Sequence, residues 1–485
     1  KIMVDITQLS GVDIFKSKVY SSIVGYRSKL EITLKPDGLI NAKLPNSPTD
    51  LPVTILLRAL GIETDKDMAY AISTESLMHN FLDVTFERTN EIKTQNDALV
   101  YIGNRVAHGM IEEFRIRKAE NILDWGLLPH LGKSPTDRQA KAYFLGEVIC
   151  KLFELKLGWI TVDDKDHYGN KVIKFAGQML ADLFRTAFRN LIRDLKYQLE
   201  RMSSKRTIGA VGAALRPGII TDKLNNSIAT GNWGRGKVGV TQLVDRTNYL
   251  GTLSHLRRVQ SPLSRSQPNF EARDLHATHF GRICPNETPE GANCGLVKNL
   301  ALSTIISIDV PTSDVLEHLT SSGLVPMVND DLVIKSKGSK VFIDGKFIGY
   351  INNGDKYVAN LRKLRREGKI HSHVSVSLYK VQHPKSSKRL FISTNAGRVL
   401  RPTIIVENGV SNLTGEMIAR LEADEFNWKD LVNQGIIELI DADEEENAFI
   451  AMDKKDLTPE NTHLEIHPAG MLGIASSLIP YPEHN

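Results

Sequence analysis

Apolar and polar residues alternate in short runs over the first fifty positions, as in Ile2-Met3-Val4-Asp5-Ile6, and Lys35-Pro36-Asp37-Gly38 breaks them. Such runs predict short strands joined by turns. From 51 to 200 the spacing becomes helical. Val53, Leu56, Leu57 and Leu60 form a stripe that ends at Gly61, a residue suited to a helix C-terminus. Ser134-Pro135 supplies a cap and a first-turn proline for a second helical block reaching Leu157. The polar loop Asp163 to Asn170 precedes a long predicted helix. Its stripe is Ile173, Ala176, Leu180, Leu183, Ala187, Leu191, Leu195 and Leu199. Arg185, Arg189 and Arg193 line another face, read first as solvated surface and second as a nucleic-acid or partner contact.

Over 201–303 long periodic elements disappear, and Gly, Pro, Asn, Ser and Arg dominate. Such a stretch is a linker or a functional loop assembly. Strand-like alternation returns over 304–463, where Val341 to Ile348 predicts a hairpin turning at Asp344-Gly345. One helix interrupts it, carrying Leu361, Leu364 and the basic run Arg362-Lys363-Leu364-Arg365-Arg366. The acidic run Asp441 to Glu446 reads as a solvated loop. These elements predict an α+β, multidomain fold.

A length of 485 residues agrees with about three to five domains. No run of 18 apolar residues predicts a membrane span, and no secretory signal is visible. Cys150, Cys284 and Cys294 are too few for a disulfide framework and point to a reducing compartment. Both ends, Lys1 and Asn485, read as cut or as dependent on another chain for burial.

A net charge of only +4 means that any basic patch is local. Residues 231–303 carry nine cations, among them Arg235, Lys237 and Lys298, against five anions, so this segment alone holds +4. Its six cations between Val238 and Val297 are all arginine: Arg246, Arg257, Arg258, Arg265, Arg273 and Arg282. The rigid guanidinium fork suits phosphates and base edges. An arginine-rich structural network is the alternative at this point. Gln242, Asn248, Ser254, His255, Gln260, Ser264, Gln267 and Asn269 are interleaved, a mixture suited to gripping a nucleic-acid strand without reading its sequence.

The stretch Cys284 to Gly295 holds two prolines and two glycines in twelve residues and predicts a rigid loop carrying Glu287 and Glu290. Nothing nearby supplies a nucleophile for acid–base chemistry with them. His276, His279, Cys284 and Cys294 make a weak zinc candidate, lacking the close cysteine pairs of structural sites. Asp163, Asp164, Asp166 and His167 make an equally weak metal candidate, and no P-loop is present.

Several long motifs in fixed order resemble the second-largest subunit of multisubunit DNA-dependent RNA polymerases. They are Ala229-Thr230-Gly231-Asn232-Trp233-Gly234, Gly239-Val240-Thr241-Gln242-Leu243, Leu253-Ser254-His255-Leu256-Arg257-Arg258, Phe270-Glu271-Ala272-Arg273-Asp274-Leu275-His276, and Gly281 to Gly291. Asp166-His167-Tyr168-Gly169-Asn170-Lys171, Asn395-Ala396-Gly397-Arg398-Val399, Ile440 to Glu445, and His467-Pro468 with Gly473 to Pro480 extend the likeness over nearly the whole chain. Ser261-Pro262-Leu263-Ser264-Arg265-Ser266 is similar to the archaeal form. The likeness suggests the upstream half of a subunit split in two, with the start of its N-terminal protrusion missing.

The resemblance implies a protrusion remnant at 1–17, a helical lobe at 18–200 and a return of the β-rich protrusion at 201–228. A fork at 229–303, an external domain at 304–463 and the start of a hybrid-binding domain at 464–485 follow. It implies that the chain lines the active-centre cleft and contacts the RNA–DNA hybrid and downstream DNA. Gln242, His255, Arg257 and Arg258 match positions along the RNA path. Glu287, Pro289, Glu290 and Asn293 match the loop near the RNA 3′ end and incoming nucleotide, and Arg265 is a candidate contact to downstream DNA phosphate.

By the same likeness, no catalytic residue lies in this chain. The largest subunit would bring the aspartates that bind Mg2+, and no metal or cofactor is expected on this chain. The implied partners are that subunit, the downstream half, the other polymerase subunits, template DNA and nascent RNA. The implied place is the cytoplasm, at the nucleoid. The competing reading is a stand-alone nucleic-acid-binding module.

Overall fold

The computed structural model describes residues 1–9, 11–23, 25–45, 47, 49–204, 211–234, 237–327, 338–379, 383 and 388–484. Arg235 and residues 205–210 lie outside these. The fold is α+β and multidomain, and among the described residues no helix is long and apolar enough to cross a membrane.

Strands β1 (Ile2–Leu9), β2 (Val12–Ile23), β3 (Tyr26–Leu34), β4 (Ile40–Lys43) and β5 (Leu51–Pro52) form an antiparallel sheet in chain order. Period-two spacing puts Phe15, Ser17, Val19 and Ser21 of β2 on one buried face, with Ser28, Leu30, Ile32 and Leu34 of β3 beside them. Helix Arg138–Lys156 packs across that sheet and is buried along most of its length. The predicted boundary at 17/18 therefore falls inside β2, whose ladder with β1 runs from Ile2↔Val19 to Leu9↔Val12. The boundary at 200/201 falls within helix Ala176–Ser204, and that at 463/464 within a strand. Hydrogen-bonded elements continue through all three positions.

Helix Ala176–Ser204 buries only Leu183, Ala187 and Leu191 of the predicted stripe. Leu180 is exposed, as are Phe184, Phe188 and Ile192, while Ile173 precedes the helix and bonds to the carbonyl of Gly397. Helix Gly218–Thr230 stands where an irregular stretch was predicted. It starts after Pro217, ends at Gly231 (φ +69°), buries Ser227 and packs on the long helix. Its paired Asn225-Asn226 masked the period.

The next short strands are β6 (Arg258–Gln260), β7 (Val297–Asn299), β8 (Ile305–Ile306) and β9 (Val325–Pro326). Strands β10 (Ser339–Ile343), β11 (Lys346–Ile351), β12 (Ser375–Tyr379) and β13 (Arg389–Ser393) join β9 in a sheet of order β12-β13-β10-β11-β9. The predicted hairpin is present, with Asp344 (φ +47°) and Gly345 (φ +81°) at its turn. The last sheet centres on β14 (Val399–Glu407) and includes β15 (Val410–Ser411), β16 (Ile437–Ile440), β17 (Ile450–Ala451) and β18 (His463–Leu464).

Among the described residues five α-helices interrupt this region rather than one: Ser313–Ser321, Gly354–Arg366, Gly415–Glu422, Trp428–Asn433 and Ala442–Glu445. Most are too short to display a period, and capping by Asn427 and Asp441 defines two of them.

The acidic run is a further correction. Asp441 caps the Ala442–Glu445 helix by accepting from Glu444 N–H at 2.9 Å, and both carboxylates are buried. Arginines from helix Gly354–Arg366, from β14 and from the residue just before β14 converge on this turn. Arg398 reaches Asp441 at 3.3 Å, Arg365 reaches Glu444 at 2.6 Å and Arg401 reaches Glu445 at 2.5 Å. Glu438, beside them on β16, meets Arg365, Arg366 (2.8 Å) and His463 (3.0 Å).

Candidate nucleic-acid interface

Two antiparallel strands form the base of the arginine-rich segment. β6 pairs with β7 in the register Arg258↔Asn299, Val259↔Lys298, Gln260↔Val297. The pleat turns Arg258 and Gln260 outward on one face and Val259 inward. Helix Tyr249–Leu256 leads into β6, and Asn248 Oδ1 caps it by accepting from Gly251 N–H. His255 sits in the last turn of this helix.

A chain of hydrogen bonds joins these side chains. His255 Nδ1 accepts from Asp245 N–H at 3.1 Å, which leaves Nε2 to donate to Gln242 Oε1 at 3.1 Å. Gln242 Nε2 then donates to Gly239 O at 2.9 Å and Gln260 Oε1 at 3.2 Å. Two hydrogen bonds from Thr247, through its N–H and its hydroxyl, hold the Asp245 carboxyl below the usual range. Gln242, His255, Arg258 and Gln260 thus share one accessible face. The exposed guanidinium of Arg258 has no hydrogen bond or ion pair among the described residues, and neither do those of Arg246 and Arg265.

The other three arginines turn inward. Arg257 is half-buried and donates through Nη2 to Ala301 O at 2.5 Å and Leu302 O at 3.4 Å. Burial lowers its pKa. One residue before the outward Arg258, it pins the returning chain. Arg273 donates to Ala292 O (2.9 Å), Cys294 O (2.7 Å) and Arg265 O (3.3 Å), and so ties two loop tips together. Arg282 is completely buried, so for it the structural-network alternative holds.

The loop Cys284 to Gly295 is braced from within. Thr288 Oγ1 accepts from Gly295 N–H and donates to Val297 O, both at 2.9 Å. Gly295 (φ +71°) lies so close to Arg273 that a Cβ would stand 2.4 Å from its carbonyl oxygen. Glu287 accepts from the Ser254 hydroxyl, and its N–H reaches Cys284 Sγ at 3.3 Å, so it acts as a brace more than as an open contact. Pro289 and Asn293 are half-buried, and Glu290 is exposed at the tip.

The metal candidates do not converge. His276 Nε2 pairs with Asp164 at 2.6 Å, His279 is buried against Tyr168, Cys284 Sγ accepts from Glu287, and Cys294 is exposed. Asp163 meets Lys151 at 2.7 Å, Asp166 meets Lys171 at 2.8 Å and His167 meets Glu446 at 2.9 Å. Among the described residues no three His, Cys, Asp or Glu side chains are grouped to hold a metal ion.

Comparison with known families accounts for this layout. Residues 6–174 match RNA polymerase Rpb2, domain 2, and 242–306 match domain 3. Residues 341–407 match domain 4, and 428–468 match domain 5. The chain carries four domains of an RNA polymerase second-largest subunit.

All of this Rpb2-type chain aligns with DNA-directed RNA polymerase subunit Rpo2 of Saccharolobus shibatae at 44% identity, covering 44% of that protein. Over 64% of its length it is 46% identical to subunit Rpo2N of Methanococcus vannielii, of which it covers 62%. Over 92% it is 37% identical to DNA-directed RNA polymerase II subunit 2 of Arabidopsis thaliana, of which it covers 39%. The Rpb2-type chain thus spans less than half of the undivided relatives. The face that carries Gln242, His255, Arg258 and Gln260 lies within the domain 3 match.

Proposed function

We propose that this chain works as part of a DNA-directed RNA polymerase, a nucleotidyltransferase, and forms one wall of its active-centre cleft. The observation that carries this is the sorting of the fork arginines. Three are spent on holding the loops, while Arg246, Arg258 and Arg265 stand exposed, Arg258 on the strand that carries Gln260 of the Gln242–His255–Gln260 relay. Uncharged donors and acceptors beside unpaired guanidinium groups suit a duplex held by its sugars and phosphates. In this reading Arg258, with Gln242 and His255, faces the RNA–DNA hybrid, Arg265 faces downstream DNA, and Glu290 with Asn293 lies toward the incoming nucleotide.

Nucleotidyl transfer uses metal ions held by clustered carboxylates. Two of the acids of the fork are engaged singly, Asp245 by Thr247 and Glu287 by Ser254. In this proposal Mg2+ comes with the largest subunit, and this chain positions the nucleic acid rather than acting on it. The remaining polymerase subunits, template DNA and nascent RNA are its other partners, and its place is the cytoplasm, at the nucleoid. The alignment with Rpo2N supports the finer reading of an upstream half with a separate downstream polypeptide. The size of the subunit in the native enzyme tests that.

The test of the wall is Arg258→Ala in a fully reconstituted polymerase. Elongation complexes should fall apart at lower salt, and the slope of log stability against log salt should drop by about one. A photoreactive RNA 3′ terminus should label residues of the fork. Unchanged salt dependence together with labelling elsewhere would overturn the proposal.

A further inference from the structure

Arg282 touches solvent nowhere, yet it sits at the base of the loop that carries Glu287, Pro289, Glu290 and Asn293. Its guanidinium leaves the fork and enters the external domain. Nε donates to Val399 O at 3.1 Å and Nη2 to Ile440 O at 3.2 Å. Nη1 meets the Glu445 carboxylate and reaches back to Thr278 O at 3.5 Å. One side chain therefore joins the fork to β14, to the end of β16 and to the acidic helix.

The grip is reciprocal. Arg401 of β14 holds Glu445 Oε1 through Nε at 3.1 Å and lays its guanidinium over the Phe280 ring at 5.2 Å. Its Cδ stands 2.7 Å from where a Cβ of Gly281 (φ +66°) would be. Phe280, Gly281 and Arg282 are thus held from the external side. From this anchored point the loop departs and returns. Arg282 O accepts from Ala301 N–H at 3.0 Å and from Thr304 Oγ1 at 2.7 Å, and Cys284 N–H donates to Asn299 O at 2.9 Å. The loop then reaches the helix bearing His255 through the contact of Glu287 with Ser254.

We propose that Arg282 is a positioning residue for nucleotide addition: with Glu445 and Arg401 it sets the height and tilt of the loop from Cys284 to Gly295 against the external domain. This rests on the reading of the fork as a wall of the active centre. Arg282 touches no nucleic acid and acts only through the loop. Arginine is required because its planar fork meets four diverging acceptors, while lysine keeps the charge and reaches fewer. Nucleotide addition is sensitive to such placement, since a shift of about 1 Å can slow a reaction by about 100-fold.

The experiment uses complete reconstituted polymerase on a preassembled RNA–DNA scaffold. It measures kcat and KM for the next nucleotide and the salt midpoint of the complex, for Arg282→Lys, Glu445→Gln and Arg258→Ala. Arg282→Lys should lower kcat about tenfold with KM and salt midpoint near wild type. Glu445→Gln should move kcat the same way by less, because Arg401 keeps a hydrogen-bonding partner. Arg258→Ala should instead lower the salt midpoint, the signature of a lost phosphate contact.

Wild-type kcat in both Arg282→Lys and Glu445→Gln overturns the inference. Failure of both to assemble also overturns it, because Arg282 would then be a fold determinant only. If Arg282→Lys slows addition while Arg258→Ala leaves salt dependence unchanged, the positioning role stands and the contact face proposed above falls.

Discussion

An arginine whose donors all end on protein carbonyls and carboxylates has none left for a phosphate. That bookkeeping separates Arg282 from Arg258, which composition and spacing leave alike. The sequence made the segment and its chemistry legible: arginine without lysine, interleaved amides, and a loop stiffened by Pro285 and Pro289. Direction was not legible. The alternation at Arg257-Arg258-Val259-Gln260 was the one local signal, and three residues are too few to show whether a strand exists.

Glycine gives a sharper test at this scale. Gly234 (φ +77°) and Gly295 (φ +71°) share a left-handed backbone, which costs a substituted residue about 1–2 kcal/mol. A Cβ at Gly234 meets nothing within 4 Å, while one at Gly295 meets the Arg273 carbonyl at 2.4 Å. Gly295→Ala should therefore lower the melting temperature more than Gly234→Ala does. Equal losses would show that the close approach of the two loops does not matter.

Among elements, the turn from Asp441 to Glu446 departs most from its appearance in the sequence. Six residues, five of them acidic, look solvated, because the cations that neutralise them are distant in the chain: Arg282, Arg365, Arg398 and Arg401. No periodicity rule links such positions.

The turn and its neighbour Glu438 carry a pH dependence. Burial raises the carboxyl pKa of Glu438, but Arg365, His463 and Arg366 outweigh it and hold the group well below its ordinary value of 4.5. Glu445 is lowered likewise, burial being outweighed by Arg282 and Arg401. The unfolded chain takes up these protons first, so stability from the pairs is complete above about pH 4.5 and is lost as pH falls through the lower folded values. Glu438→Gln should lose about 3 kcal/mol at pH 7, since Arg365 is left buried with less counter-charge. Its melting temperature should then fall less steeply than wild type below pH 4.5. Parallel curves for the two proteins would show that Glu438 is not the titrating group.

At the scale of the whole molecule, the β1–β5 sheet with its helices and the β10–β11 hairpin share one interior. Glu147 and Glu154 of helix Arg138–Lys156 are buried where β10 and β13 bring Lys340 and Arg389. Glu147 pairs with Lys340 and, at 2.5 Å, with Arg389, which also reaches Glu154 at 2.8 Å. Burial raises the Glu147 carboxyl, but Arg389 and Lys340 bring it below its ordinary value, so the pair is ionised at neutral pH. Phe342, Phe347 and Tyr350 of the β10–β11 hairpin join the apolar core of the β1–β5 sheet and its helices around these charges. The partners lie 193 and 242 residues apart, which is why motif order implied separate domains and could not reveal a shared interior.

Removing one cation from this cluster leaves buried acid poorly compensated, at about 3–5 kcal/mol. That loss falls on the junction, because the ion-pair partners of Arg389 are Glu147 and Glu154 of helix Arg138–Lys156. Arg389→Met should therefore split a single calorimetric transition into two, the lobe and the external domain unfolding apart. Arg258→Ala, at the far surface, should leave the transition unsplit. The fork is anchored to the external domain through Arg282, so in Arg389→Met it should melt with that domain, and its amides should exchange with those of β14 rather than with those of β2. One undivided transition in Arg389→Met would mean that the apolar contacts of Phe342, Phe347 and Tyr350 suffice to couple the two domains.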